Sequence, residues 1–237
     1  VCNWFENPIW QALTFFGIIA SIVSIIGLPF DYYFTFVIEE KYGFNKSTKK
    51  TYWLDKIKGL LLSTIIGGGI GYLLLWIIIS MPNSFVLWTF IVIASFSIFF
   101  AMFYTLLIVP LFNKLTPLPE GELRTAIEEF SQKTGFKLKN IYSIDGSKRS
   151  TKANAYFSGL GPNKTIVLFD TLIELLSPQE VVAVLAHEIG HNKKQHIVKS
   201  LILSLLSTAA MLFILQIIFK YQIFSQALGV EQIKIHI

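Results

Sequence analysis

The hydrophobic pattern of the chain is dominated by four long stretches that carry almost no charge. About 20 consecutive apolar residues are enough for a helix to cross the hydrocarbon core of a bilayer. All four stretches reach that length, and the third exceeds it, so we expect the third helix to tilt or to protrude. The stretches cover residues 9–28, 59–80, 84–112 and 197–219. The pattern therefore predicts a mainly α-helical, polytopic membrane protein with four transmembrane helices in this chain.

The second stretch contains a motif for close helix packing. Gly67 and Gly71 form a GxxxG pair, and small residues at this spacing let two membrane helices approach closely. A phosphate-binding glycine loop is not indicated, because no Lys-Ser or Lys-Thr pair follows and the stretch lies in the middle of a span. We expect a neighbouring helix to pack at these glycines.

Two polar segments separate the spans. Residues 29–58 are rich in lysine and read as a loop, whereas residues 114–194 have the mixed pattern of an α+β region. Within that region, Leu123, Ile127 and Phe130 recur at helical spacing, which predicts a helix over residues 120–134 that ends at Gly135.

The second half of the α+β region predicts strands and the start of a further helix. Alternation of apolar and polar residues predicts strands at 137–144, 153–160 and 165–169, the last two joined by a turn at 161–163. Asp170 is positioned to cap a short helix that leads to Ser177. The fold class is thus membrane helices with an embedded α+β, zincin-like catalytic region. The predicted domain division is residues 1–113 with three spans, 114–195 for catalysis, and 196–237 with the fourth span and a tail.

Composition and charge support a membrane protein and indicate its orientation. The 237 residues are 53% hydrophobic and 15% charged, against about 25% charged residues in soluble domains. The net charge of +5 does not indicate nucleic-acid binding, because most basic residues lie in the two polar segments. By the positive-inside rule those segments face the cytosol. The membrane would be the endoplasmic reticulum of a eukaryote or the inner membrane of a bacterium.

The termini and the cysteine content add two expectations. Cys2 is the single cysteine, so no disulfide can form within the chain. The chain starts with valine and has no basic segment before its first apolar stretch, so we expect no signal peptide and expect the chain to lie inside a longer protein.

The strongest chemical signal is the sequence His187-Glu188-Ile189-Gly190-His191, an HExxH motif. On a helix, residues four apart share one face, so His187 and His191 can hold one Zn²⁺ ion. Glu188 lies about 100° further round, where its carboxylate can reach a water on the metal and act as general base. The alternative is a surface helix that carries two histidines for no catalytic reason.

The residues around the motif favour the zinc site. Ser177-Pro178-Gln179-Glu180 is a capping box with proline at the first helical position, which predicts a helix start. The approach to His187 is then largely apolar, and ionisable residues that follow an apolar run in a membrane protein are seldom without a function. Gly190 costs about 1 kcal/mol in mid-helix relative to alanine, so we expect it to have a reason, such as the close approach of a neighbouring backbone.

A third zinc ligand is not evident from the spacing of residues. A metzincin would need glycine at 194 and histidine at 197, where the chain has Lys194 and Ile197. His196 is half a turn off the zinc face, so we interpret it as a structural or supporting residue. Glu231, in the short tail, is a weak candidate.

Three segments resemble the type I CAAX prenyl proteases, which are integral-membrane zinc peptidases. The segments are the H-E-I-G-H motif, residues 29–45 (PFDYYFTFVIEEKYGFN), and residues 154–160 (NAYFSGL) followed by residues 166–172 (IVLFDTL). Asn192 departs from the family, which often has an aromatic residue at that position. The segment 29–45 is the most specific part of the resemblance, because HExxH occurs in many unrelated enzymes.

The resemblance implies a fold and a set of functional residues. The implied fold is a barrel of seven membrane helices around a water-filled chamber, with zinc at its wall. The resemblance also implies that His187 and His191 are zinc ligands and that Glu188 is the general base. It further implies that Asn154 and Ala155 are part of an edge strand that pairs with the substrate backbone. The family's third ligand is a glutamate on a later helix, so the expectation is one Zn²⁺ per chain with that glutamate beyond residue 237.

The leading hypothesis is a zinc metalloendopeptidase that removes the last three residues of prenylated CAAX-type proteins. Its partners would be a lipidated protein or peptide substrate and the bilayer, with no nucleic acid. A membrane-protein quality-control zinc protease is the first alternative, since it would share the zinc helix and the strand before it. A non-catalytic membrane scaffold with an incomplete site is the second.

Overall fold

The computed structural model of the chain describes residues 5–136, 138, 140–159, 164–193 and 195–221, with the backbone alone described at 191–193. Within it the chain forms two compact units. The first consists of Val1–Gly27, Gly59–Ser97 and Ser200–Ile237, and the second of Leu28–Lys58 and Ile98–Lys199. The H-E-I-G-H motif belongs to the second unit.

Helices make up most of the chain. In order they are α1 (Pro8–Tyr33), α2 (Lys49–Ser80), α3 (Phe85–Leu107), α4 (Val109–Phe112), α5 (Glu122–Thr134), α6 (Asp170–Leu175), α7 (Pro178–Lys193) and α8 (His196–Lys220). Within the described residues, four helical segments are long and apolar enough to cross a membrane, Pro8–Glu39, Lys49–Ser80, Phe85–Phe112 and His196–Lys220. The prediction of four spans is therefore confirmed.

The expected loop at residues 29–58 is mostly helical, so that prediction was wrong in its extent. After α1 the helix continues as a π-helical segment, Phe34–Glu39, and only residues 42–48 are non-helical before α2. Pro29 lacks one backbone donor but does not end the helix. Beyond it, Tyr32 and Phe36 pack on Tyr52, and their ring centroids lie 5.7 and 5.4 Å from that of Tyr52. This packing lies between residues about 20 positions apart, which local sequence signals do not reveal.

In the first unit, the GxxxG motif lies against α1 at one of its two glycines. A Cβ added to Gly71 would lie 3.2 Å from Leu13 Cδ2, whereas one added to Gly67 would meet nothing within 4 Å among the described residues. The rings of Trp10 and Tyr72 extend the same contact, with centroids 5.7 Å apart. The expected close packing thus occurs at Gly71.

The second unit contains a four-stranded mixed sheet. Its strands are β1 (Leu115–Pro117), β2 (Asn140–Ile144), β3 (Ala155–Ser158) and β4 (Thr165–Phe169), in the spatial order β1-β2-β4-β3. β3 and β4 pair antiparallel, which confirms the predicted strand partners, and the expected turn at 161–163 lies outside the described residues. β2 pairs parallel with β4, a pairing that the sequence pattern does not predict. β3 is an edge strand.

The two faces of the sheet pack on different helices. One face forms a buried cluster with α5, α6 and α7, made by Leu118, Ile127, Ile141, Ala155, Ile166, Leu168, Leu172, Val181 and Leu185. On the other face, Ile144 and Val167 pack with Val109 of α4, and Tyr156 lies against them. Because side chains alternate along a strand, Ala155 faces α7 while Tyr156 faces α4.

The start of α7 follows the predicted capping box. The Glu180 carboxylate accepts hydrogen bonds from the Ser177 backbone N–H and the Ser177 hydroxyl, both at 2.8 Å. These bonds hold the pKa of Glu180 below its ordinary value, with the backbone N–H as the main cause. The carboxylate therefore satisfies a backbone donor that α7 itself leaves unpaired.

One local expectation differs from the structure. Asp170 is the first residue of α6, and the residue at the capping position is Phe169. The Asp170 carboxylate accepts instead from the backbone N–H groups of Thr171 and Ser147, each at 2.8 Å. The fourth span does not continue α7, because Gln195 has a left-handed backbone (φ 56°) that interrupts the helix before His196.

Candidate metal centre and edge strand

The HExxH motif lies on α7, with its first histidine on the side of the helix away from the core. Val181, Leu185 and Ile189 are buried at 0%, 0% and 4% exposure and fix the inner side of the helix. His187 is exposed, and Glu188, three positions after Leu185, is half-buried. Since α7 is α-helical from Pro178 to Lys193, His191 lies one turn beyond His187 on the same side.

The residues present match the nitrogen ligands of a zinc site. Two imidazoles one turn apart are a donor pair that zinc accepts, with a carboxylate next to them. Among the described side chains, which exclude that of His191, no group of three His, Cys, Asp or Glu residues could hold a metal. His196 is the first residue of α8 and is exposed, and Glu231 lies outside the described residues. A third ligand is thus not found in the described part of the chain.

Gly190 does not have the close neighbour that the sequence predicts. A Cβ added there would meet nothing within 4 Å among the described residues. The expectation of a closely approaching backbone was therefore wrong for this part of the chain. A glycine inside a helix costs stability wherever it occurs, so its presence alone does not identify a packing contact.

Asn154 and Ala155 lie at the edge strand next to α7. Ala155, 5% exposed, is in the same buried cluster as Val181 and Leu185. The Asn154 carbonyl accepts from the Phe169 N–H at 3.0 Å, so in an antiparallel pair the N–H and C=O of Ala155 and of Phe157 point away from β4. The Asn154 side-chain Oδ1 accepts the outward Ala155 N–H at 2.8 Å.

A cavity of about 420 Å³ lies beside the same strand. Its walls are residues 156–159, Ile197, and four residues of α3, namely Phe100, Ala101, Tyr104 and Thr105. Burial raises the pKa of the Tyr156 hydroxyl above the usual tyrosine value. A larger cavity of about 620 Å³, lined by α5, β1, β2 and the segment that joins α5 to β2, contains no residue of α7 or β3.

The basic loop at 146–152 is bound to the protein through its charges. The loop carries three basic residues, Lys148, Arg149 and Lys152. Arg149 forms an ion pair with Asp55 at 2.7 Å, and Lys152 forms one with Glu39 at 2.6 Å. Sequence reasoning missed both carboxylates. Their presence in the lysine-rich segment 29–58 was the available signal.

Comparisons with known proteins agree on one family. A family model described as CAAX prenyl protease N-terminal, five membrane helices, matches residues 1–114, and the model of peptidase family M48 matches residues 117–236. CAAX prenyl protease 1 of Saccharomyces cerevisiae is 43% identical over 224 residues, which is 94% of this chain and 49% of that protein. The human CAAX prenyl protease 1 homolog is 34% identical over 90% of this chain and 53% of its own length.

A solved structure shows the same fold. The crystal structure of S. mikatae Ste24p superposes with a TM-score of 0.85 at 44% sequence identity, covering 92% of this chain and 52% of that one. The chain spans about half the length of the curated relatives that it matches. Together with the membrane helices and the H-E-I-G-H helix, these matches show that this chain is a multi-pass membrane member of peptidase family M48, a family of metal-dependent peptidases, and that it is of the CAAX prenyl protease type.

Proposed function

We propose that this chain supplies the zinc-binding and substrate-aligning parts of a membrane-embedded metalloendopeptidase. The enzyme would remove the C-terminal three residues of prenylated CAAX-type proteins. The observation that carries the proposal is the packing of α7, with its H-E-I-G-H motif, against the edge strand β3. Several relatives that are named CAAX prenyl protease 1 support the substrate class.

In this proposal, His187 and His191 would hold one Zn²⁺ per chain through neutral imidazole nitrogens. The third protein ligand would be a glutamate beyond residue 237, as in the family that the chain resembles. When bound, zinc supplies Lewis acidity toward the scissile carbonyl and lowers the pKa of water to about 7. The hydrophobic inner side of α7 would keep both histidines in place, because Val181, Leu185 and Ile189 anchor the helix.

Glu188 would be the general base. It is adjacent to His187 and half-buried, so its carboxylate can take a proton from the attacking water and give it to the leaving amine. A carboxylate at this position lies to one side of the two histidines on the helix, which places it beside the metal instead of on it.

The free edge of β3 would align the substrate by adding it as a further strand. Ala155 and Phe157 present their N–H and C=O groups to that edge, and main-chain hydrogen bonds of this kind bind extended peptides. Asn154 Oδ1 already accepts the Ala155 N–H. A substrate carbonyl would take over this donor, and the Asn154 side chain would then be available to the peptide.

The distribution of charge supports a catalytic site that faces the cytosol. The polar segments that hold most of the lysines and arginines include the loop at 42–48 and the whole α+β region. Positively charged loops are retained on the cytosolic side of membranes. We propose that residues 1–113 anchor the chain in the membrane, that residues 114–195 carry out catalysis, and that residues 196–237 form the fourth span and the tail.

The proposal can be tested with the full-length protein in detergent. A farnesylated CAAX peptide and the same peptide without the lipid are offered as substrates, and the products are identified by mass spectrometry. We expect release of the C-terminal tripeptide, faster from the farnesylated peptide. Equal cleavage of both peptides, or cuts at scattered positions, would instead support a quality-control protease. A protein without zinc and without cleavage would support a non-catalytic scaffold.

A further inference from the structure

The segment that leads into the edge strand is held by an ion pair with α2. Arg149 Nε and Nη2 donate to the two carboxylate oxygens of Asp55 at 2.7 and 2.9 Å. The side chains are 24% and 25% exposed, so the pair is partly shielded from solvent. Two parallel hydrogen bonds of this kind fix the orientation of the guanidinium as well as its position.

The same guanidinium reaches a second element of the unit. Arg149 Nη2 also donates to the Phe112 carbonyl at 2.7 Å, at the end of α4. That carbonyl lacks an intrahelical partner because it lies in the last turn of its helix. Arg149 therefore joins the start of α2 to the end of α4.

Backbone hydrogen bonds continue this attachment toward β3. The Lys46 N–H donates to the Arg149 carbonyl at 3.0 Å, and the Thr151 N–H donates to the Phe44 carbonyl at 3.1 Å. Asn45 and Ser150 form an antiparallel bridge between these two bonds. The loop at 42–48 thus pairs with residues 149–151 like a short strand.

The last attachment is at Lys152, three residues before Ala155. Its ammonium pairs with Glu39 at 2.6 Å and lies 5.1 Å from the centre of the Phe44 ring. On the other side, its carbonyl accepts from the Thr171 hydroxyl at 3.0 Å. Residues 149–152 are therefore held between the segment 39–55 and α6, just before the chain enters the edge strand.

We propose that Arg149 and Asp55 are positioning residues for substrate alignment, acting through the edge strand β3. The inference rests on the proposed function, in which β3 receives the peptide. Among the described residues β3 pairs with β4 alone, so the entry of the chain at 149–154 orients its free edge. In the described part of the chain, the hydrogen bonds and ion pair of this Arg149–Asp55 pair go to other elements than α7, so its loss is expected to weaken peptide binding more than proton transfer.

A first experiment needs no substrate. Amide hydrogen exchange is measured by mass spectrometry on the full-length protein in detergent, as wild type and with Arg149→Gln or Asp55→Asn. We expect exchange at residues 153–158 to become about tenfold faster, while residues 140–144 of β2 are unchanged. Wild-type exchange at 153–158 in both folded variants would overturn the proposal.

Arg124→Gln is a closely matched control. Like Arg149, Arg124 combines ion pairing with a hydrogen bond to a backbone carbonyl. It pairs with Glu120 and Glu128 and donates to the Leu118 carbonyl. It lies on α5, and the cavity that it lines contains no residue of β3. The control is expected to leave exchange at 153–158 unchanged. If Arg124→Gln accelerated exchange there as much as Arg149→Gln, the effect would be general destabilisation and the proposal would fail.

A second experiment measures kinetics on the farnesylated peptide, after Glu188-dependent cleavage by the wild type has been established. If the wild type shows no Glu188-dependent cleavage, the proposed function fails. The hydrogen-exchange experiment then decides alone whether Arg149 and Asp55 position β3. Arg149→Gln and Asp55→Asn are expected to raise KM about fivefold or more, with kcat within about twofold and zinc content unchanged. Unchanged KM, or a loss confined to kcat, would overturn the positioning role.

Two further variants keep the test decisive. Arg149→Lys retains the charge but not the pair of parallel N–H donors. Its KM is therefore expected to lie between those of the wild type and Arg149→Gln. If Arg149→Gln does not fold, Thr151→Val takes its place, since it removes only a hydroxyl that donates to the Gly43 carbonyl at 3.1 Å. For Thr151→Val, an increase in the exchange rate at 153–158 that is smaller than the tenfold expected for Arg149→Gln supports the proposal. No increase contradicts it.

Discussion

Ala155 of the edge strand and Leu185 of the H-E-I-G-H helix lie in one buried cluster, at 5% and 0% exposure. The strand that we propose for substrate alignment is therefore packed directly on the helix that we propose for metal binding. This contact fixes the spacing between the two functional elements through apolar packing, at the sheet face opposite to Tyr156.

Shortening Leu185 should weaken this contact. Leu185→Ala is expected to destabilise the protein by about 2–5 kcal/mol, because it leaves a cavity between α7 and β3. Thermal unfolding of the purified protein measures the effect. Leu175→Ala is the control, since Leu175 is 71% exposed and its loss should change stability by no more than about 0.5 kcal/mol. Equal effects of the two substitutions would contradict the packing described here.

Gly146 leaves no room for a side chain, because the Phe169 ring occupies the position of its Cβ. Gly146→Ala is therefore expected to cost about 1–3 kcal/mol through overpacking. Gly59, in α2, has nothing within 4 Å of an added Cβ among the described residues. Gly59→Ala should leave thermal stability unchanged or raise it by about 1 kcal/mol. A neutral Gly146→Ala would show that the basic loop and β4 are less tightly joined than their contact indicates.

The Glu180 carboxylate should make the start of α7 sensitive to acid. Its pKa is lowered in the folded protein by the Ser177 backbone N–H and hydroxyl. Its stabilising effect is therefore complete above the ordinary glutamate pKa and is lost as the pH falls through the lowered value. Glu180→Gln removes this dependence. The melting temperature of wild type, followed from neutral to acidic pH, should fall more steeply than that of Glu180→Gln, and parallel curves would contradict the capping contact.

Removal of one proposed ligand should empty the metal site. His187→Ala is expected to lower zinc content from about one per chain to near zero, because a single remaining imidazole with a carboxylate binds zinc poorly. His196→Ala, nine positions further on and outside the proposed ligand set, should retain zinc. Metal analysis by mass spectrometry after gel filtration distinguishes them. Unchanged zinc in His187→Ala would remove that histidine from the site.

The features that the sequence predicts well are local ones. Four apolar stretches of sufficient length predict four membrane helices, and the Ser177–Glu180 capping box predicts the start of α7. The pairing of β3 with β4 follows from alternation within a short distance. Each of these signals lies within a window of about 20 residues, where side-chain periodicity determines the local structure.

The features that the sequence does not predict depend on distant contacts. The Arg149–Asp55 pair joins residues 94 positions apart, and the parallel pairing of β2 with β4 spans more than 20 residues. The helix continues through Pro29, and beyond it Tyr32 and Phe36 pack on Tyr52. The break between α7 and α8 falls at Gln195, a residue type with no preference for a left-handed backbone.

The central claim is that Glu188 is the base of a zinc-dependent peptidase, and Glu188→Gln tests it most directly. The full-length variant in detergent is assayed on the farnesylated CAAX peptide, and its zinc content is measured in the same preparation. Loss of general base catalysis should lower kcat by about 10²–10⁴-fold while zinc stays at the wild-type level. Near-normal turnover by a variant that retains its zinc would contradict the account.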